Sequence, residues 1–170
     1  MTTDTQTETN NEVLTHHALE EIERWRKRFP EEQSRSAIIG ALHAVQHDNQ
    51  GFLTTELMDA VAEKLNLEPI QVYEVATFYS MFETKPVARN NVAICTNVSC
   101  MLRGAESLVE HAEKHLDVKL GGSTKDGRIY LKKEEECLAA CCGAPMMMVN
   151  HVYHENLTPE SMQAILDELE

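Results

Sequence analysis

No run of apolar residues in this 170-residue chain approaches the roughly 20 needed to cross a bilayer. Nor does any segment carry the basic polar face that holds a helix on anionic lipid. Direct membrane insertion is therefore not expected. Positive charge is scarce as well: 15 Lys and Arg stand against 28 Asp and Glu, a formal net charge of −13. With no stretch that gathers the basic residues into a stripe, a phosphate backbone has nothing to lie along, and nucleic acid is not an expected partner. The opening residues MTTDTQTETNNE lack the basic and apolar regions of a secretory signal, and they are acidic where a mitochondrial transit peptide is Arg-rich. They read as a disordered tail over residues 1–12 of a cytoplasmic chain. Catalytic signatures are missing too. There is no G-x-S-x-G, H-E-x-x-H or P-loop, and no G-x-G-x-x-G, so neither a nucleophile nor a nicotinamide or flavin site is evident on this chain.

What is present suits a globular protein: 42% hydrophobic and 25% charged residues, in a length that fits one ordinary domain or two small ones. Leu14, Ala18, Ile22, Trp25 and Phe29 recur at helical spacing, which predicts a helix from about Leu14 to Phe29, ended by Pro30. Ile38, Leu42 and Val45 predict a second from about Ser34 to Gln46, and Leu57, Met58, Val61, Ala62 and Leu65 a third. Pro69 suits the first turn of a fourth, apolar around much of its circumference through Ile70, Val72, Tyr73, Ala76, Phe78 and Tyr79. Beyond Pro86 the texture changes. NVAIC is a short β-rich run that leads into the helical periodicity of CMLRGAESLVEHAEKHL. GGSTKDG is a turn-rich connector, RIYL and MMMV read as strands, and Thr158-Pro159 caps a closing helix through Met162, Ile165, Leu166 and Leu169. The expectation is α+β: a helical bundle over 13–85, then an α/β domain over 86–170.

Five cysteines, an odd number, suit a reducing compartment in which thiols serve as metal ligands or redox groups rather than structural disulfides. Cys95 and Cys100 form C-x4-C and Cys137 and Cys141 form C-x3-C, with 36 residues between the pairs. Each pair falls in a loop at a strand end, so two loops at one sheet end can converge on one site. Structural zinc favours gaps of two to four residues, and the C-x4-C gap sits at the limit of that range. Iron–sulfur clusters spread their ligands over two or more irons and accept wider, unequal gaps. Spacing thus favours iron–sulfur and leaves a zinc-stabilised module open. No C-x-x-C offers a thioredoxin-type thiol pair, and none of the eight histidines lies near the cysteines in the pattern of a mixed Cys/His site. Cys142 adjoins Cys141, and spacing alone admits either as the fourth ligand.

Three further features have plainer readings. Met146–Met148 suits core filling, His16–His17 and His43/His47 a solvated helix face, and Gly104 and Gly143 either turns or close backbone approach. Cys100 is placed at a helix start, whose free N–H groups would face an anionic site.

The segments VATFYSMF (Val75 to Phe82), CTNVSCMLRGAE (Cys95 to Glu106), STKDGRIYL (Ser123 to Leu131) and ECLAACCGAPMMMVN (Glu136 to Asn150) carry a resemblance. They resemble the thioredoxin-like [2Fe–2S] ferredoxin family that includes the E subunit of bacterial NADH:quinone oxidoreductase, respiratory complex I. The resemblance runs from about Leu14 to the C-terminus. It implies a thioredoxin-like ferredoxin domain after the bundle, with one [2Fe–2S] cluster on Cys95, Cys100, Cys137 and Cys141. It also implies docking against a partner subunit that holds FMN and NAD, single-electron transfer, and a cytoplasmic position peripheral to the inner membrane. An equivalent subunit of an NAD-linked hydrogenase or formate dehydrogenase shares these features. One departure matters. The family usually has C-L-G-x-C where this chain has CLAAC, so Ala139 replaces a glycine, and a positive φ there strains alanine.

Overall fold

The computed structural model describes residues 13–133 and 137–170. The expected tail over 1–12 lies outside the described residues. The chain divides into two compact units, Met1–Pro86 and Val87–Glu170.

The first unit is helical. Helix α1 (His16–Arg26) starts where the Thr15 hydroxyl accepts the Ala18 N–H at 3.0 Å, and it buries Ala18 and Ile22 one turn apart. Periodicity predicted it three residues longer. Residues 27–29 instead form a turn, because Pro30 disfavours a helical conformation in the residue before it. The expected helix from Ser34 begins as a 3-10 segment, Glu31–Ala37, kinked at Gln33, and becomes α-helical only as α2 (Ile38–Asp48). Helix α3 (Thr55–Leu65) is capped by Thr54 and closed by Asn66 in the left-handed region at φ 54°. Helix α4 (Pro69–Phe78) has proline in its first turn and a box in which the Glu68 N–H donates to the Gln71 side chain at 3.1 Å.

These helices close on Ile38, Leu42, Leu53, Val61, Leu65 and Val72, all at 1% exposure or less. Buried Gln46 is satisfied on both sides, donating to the Met81 carbonyl at 3.1 Å and accepting the Glu83 N–H at 2.8 Å. The chain after α4 is thereby tied to α2. His43, predicted on a solvated face, is half-buried against the Phe82 ring, 5.0 Å between centroids. A half-apolar ring fills the gap between α2 and the segment returning past it.

The second unit is a five-stranded sheet in the order β2-β3-β1-β4-β5, with β1 Asn90–Ile94, β2 Gly122–Ser123, β3 Ile129–Lys132, β4 Met147–Val149 and β5 Val152–His154. Strand β1 pairs parallel with β3 and antiparallel with β4. Val92 and Ile94, Ile129 and Leu131, and Met147 and Val149 alternate onto one face, as a period of two requires. That face packs Leu108 and Ala112 of α6 (Ala105–Leu116) and Met162 and Leu166 of α7 (Pro159–Glu168). One predicted helix is two here: α5 (Val98–Leu102) stops before Gly104, whose φ of 90° only glycine adopts freely, and α6 starts beyond it. The architecture is α+β, as expected.

Candidate metal centre

Topology brings the cysteines together. Cys95 directly follows β1, and the loop carrying Cys137 and Cys141 runs from beyond β3 to the start of β4. A strand parallel to β1 ends at the same sheet edge as β1, and an antiparallel one starts there. With β3 and β4 flanking β1, the 137–142 loop therefore arrives beside Cys95. The ladder extends one step past β4, the Cys95 N–H donating to the Met146 carbonyl at 3.1 Å.

Cys95 and Cys100 are buried at 2% and 1% exposure in a small apolar cluster with Ala105, Ala144 and Met146, while Cys137 and Cys141 are exposed. The Cys137 and Cys141 sulfurs stand 3.7 Å apart. Two thiolates about 2.3 Å from one tetrahedral metal are about 3.8 Å apart, so this pair already has the spacing of shared coordination. The Cys95 thiol acts on those of Cys100 and Cys137, and Cys141 also acts on Cys100. Each of the four predicted positions thus interacts with two of the others, Cys141 with Cys137 and Cys100. Among the described residues no three His, Cys, Asp or Glu side chains close on a single ion. A two-iron cluster with four cysteine ligands asks only two thiolates of each iron. The donor set fits it.

Two backbone groups were not foreseen as parts of the site. The Ala139 N–H donates to the Cys137 sulfur at 3.4 Å, and the Met146 backbone acts on the Cys100 thiol in the sense that favours its charged form. A backbone N–H carries no side-chain signature, so only Ala139 was legible, through its departure from glycine. Its φ is 62°, the positive value for which the family's glycine is suited. Cys100, expected to begin a helix, is the third residue of α5, inside its first turn, with Asn97 at the cap position. The backbone group that acts on its thiol is that of Met146, just before β4. Gly143 is a close approach, but to the Glu155 side chain, which occupies the space a Cβ would need. Met146 and Met147 are fully buried, as core filling requires.

As free thiols, Cys100 and Cys137 differ. Burial first, then the bond with Cys95, pushes Cys100 up to about 11. The Ala139 N–H, then Cys141, pull Cys137 below its ordinary value. The fold favours neutral Cys100, so the metal-free chain keeps that contribution below the ordinary thiol value and loses it as pH rises toward 11. In metal-free protein at pH 8, iodoacetamide should modify Cys137 at least about tenfold faster than Cys100, since thiolate fraction and access both favour it. Peptide mass spectrometry over a time course reads both rates; equal rates would contradict the burial of Cys100.

Fold and site together define a class: an α+β protein with a four-thiol site at one end of a small mixed sheet. Within it, this chain belongs to the thioredoxin-like [2Fe–2S] ferredoxin family, whose model matches residues 22–170. The chain is 42% identical over 143 residues to the E subunit of NADH-quinone oxidoreductase from Rickettsia bellii (strain RML369-C), covering 84% of this chain and 85% of that one. It is 43% identical over 148 residues to the E 2 subunit of NADH-quinone oxidoreductase from Rhizobium meliloti (strain 1021), covering 87% and 86%. It is also 36% identical over 168 residues to the mitochondrial NADH dehydrogenase [ubiquinone] flavoprotein 2 of Dictyostelium discoideum, covering 96% and 68%. Among solved structures, an air-oxidized NAD+-reducing [NiFe]-hydrogenase matches 75% of the chain with a TM-score of 0.62 at 20% identity. The chain spans about a fifth of that hydrogenase chain, 22%.

Proposed function

We propose that this chain is the [2Fe–2S] electron-transfer subunit of an NADH:quinone oxidoreductase, with residues 13–85 as its helical bundle and 86–170 as its cluster domain. Cys95, Cys100, Cys137 and Cys141 hold the cluster, and single electrons pass between it and the FMN of a partner NADH-binding subunit. The observation that carries this reading is the meeting of those four thiols, from two loops 36 residues apart, at one sheet end. The relatives from Rickettsia bellii and Rhizobium meliloti supply the assembly.

When bound, a [2Fe–2S] cluster supplies a one-electron site, which lets a two-electron hydride donor feed one-electron carriers. The residues of this chain divide the remaining work. Cys95 and Cys100, buried with Ala105, Ala144 and Met146, exclude water from one side. Cys137 and Cys141, on the exposed loop, open the other side to a partner. Backbone donors at Met146 and Ala139 favour negative charge on the sulfurs they face. Among the described residues no helix is long and apolar enough to cross a membrane. Attachment to the inner membrane, on the cytoplasmic side, then runs through the rest of the complex. The likeness to the NAD+-reducing hydrogenase rests on the fold alone.

Anaerobically purified protein should contain two irons and two acid-labile sulfides per chain. Co-expressed with the flavoprotein subunit, it should give a reduced-state paramagnetic signal on adding NADH. Colourless, zinc-loaded protein would overturn the cluster. A cluster that dithionite reduces but NADH with the flavoprotein does not would overturn the partner.

A further inference from the structure

We infer that residue 139 is a positioning residue for the outer ligand of the site: its left-handed backbone turns its own N–H onto the Cys137 sulfur, at the cost of strain that alanine carries and glycine does not. The inference rests on the cluster reading above. Three observations meet at this residue. Ala139 has a φ of 62°, within the region L side chains rarely adopt. Its N–H lies 3.4 Å from the Cys137 sulfur, two residues back, a short bond closed by this turn. The sulfur so held is 3.7 Å from that of Cys141, so the turn fixes one member of the pair that spans the loop.

The physical consequences separate into two. An N–H aimed at a ligand sulfur stabilises added negative charge there, so it raises the reduction potential of the group that sulfur holds. The methyl group of Ala139 does the opposite kind of work. Left-handed backbone costs an L-residue more than glycine, and any opening of the loop that lets residue 139 return to negative φ releases that cost. The hydrogen bond tunes the site, and the strain loosens it.

The two parts are tested by different substitutions. Lactic acid incorporated in place of Ala139 keeps the methyl group and replaces the N–H with an ester oxygen. The potential, from a redox titration followed by paramagnetic resonance, is expected to fall below that of the wild-type chain; an unchanged or higher potential overturns the hydrogen-bond assignment. Ala139→Gly keeps the N–H and removes the strain. Loss of iron to a chelator such as bathophenanthroline is expected to slow by about fivefold, the factor that ~1 kcal/mol of released strain corresponds to. A rate equal to or faster than wild type overturns the strain assignment. A readout without the cluster separates this inference from the function on which it rests: in the metal-free chain the Ala139 amide should exchange with deuterium more slowly than its sequence-intrinsic rate. An unprotected amide overturns the turn geometry whether or not iron binds. Wild-type protein that binds no iron while this amide stays protected would overturn the cluster reading and leave the geometry standing.

Discussion

Cys100→Ser should yield a folded chain with iron near zero, at least about tenfold below the two per chain of the wild type, and no reduced-state paramagnetic signal. Cys100 is 1% exposed in a cluster whose other described members besides Cys95 are Ala105, Ala144, Met146, Leu138 and Ala140, none of which carries a thiolate or carboxylate. A serine hydroxyl ionises too reluctantly at neutral pH to replace a thiolate, which is the form that binds metal. Cys95→Ser, Cys137→Ser and Cys141→Ser should behave alike. Cys142→Ser should keep both iron and signal, because the loop thiol that acts on Cys100 and Cys137 is Cys141. Should Cys141→Ser keep the cluster and Cys142→Ser lose it, the fourth ligand is Cys142 and the assignment fails. Visible absorption, iron analysis and paramagnetic resonance on the five single variants decide the matter.

Gly40→Ala, far from any cysteine in sequence, should destabilise the first unit by about 2 kcal/mol. Gly40 lies in α2 with the Trp25 ring of α1 close against it, and a Cβ there would come within 2.2–2.5 Å of the ring atoms. The clash meets the body of a large rigid side chain rather than a flexible tip. Trp25 must therefore tilt away, giving up packing on the core and the Arg28 guanidinium held 4.1 Å over its ring. Alanine recovers about 1 kcal/mol of helix propensity, which offsets part of the loss. For a unit of this size the midpoint of thermal unfolding should fall by about 10 °C. Trp25 is the one tryptophan of the chain, so its fluorescence reports both the displacement and the transition. Trp25→Leu in the Gly40→Ala background should recover part of the midpoint. An unchanged midpoint and spectrum would show that α1 and α2 adjust without cost.

Much of this molecule was legible from local pattern. The four helices of the first half follow from apolar residues three and four apart, with Pro69 marking the start of the fourth. The strands over Asn90–Ile94, Ile129–Lys132 and Met147–Val149 follow from short β-rich runs. Strands β2 and β5 were missed, because two or three residues are too few to show a period of two. The break at Gly104 was hidden by apolar periodicity that continues across it. Gly40 gave no signal, since its reason is a ring from another helix.

By itself, the sequence determined that no apolar run is long enough to cross a bilayer, that the first half is helical and the second half α/β, and that four cysteines stand in two pairs at strand ends. Spacing left zinc and iron–sulfur open, and left Cys141 and Cys142 level. Tertiary structure decided what local pattern does not encode. The insertion of β1 between β3 and β4 laid the 137–142 loop beside Cys95. It also set the Cys137 and Cys141 sulfurs 3.7 Å apart and brought the Met146 backbone to act on the Cys100 thiol. The sign of φ at Ala139 belongs with these. Side-chain identity sets period and cap along the chain, whereas strand order and the hydrogen bonds at a loop are settled by groups far apart in sequence that meet only once the sheet has formed.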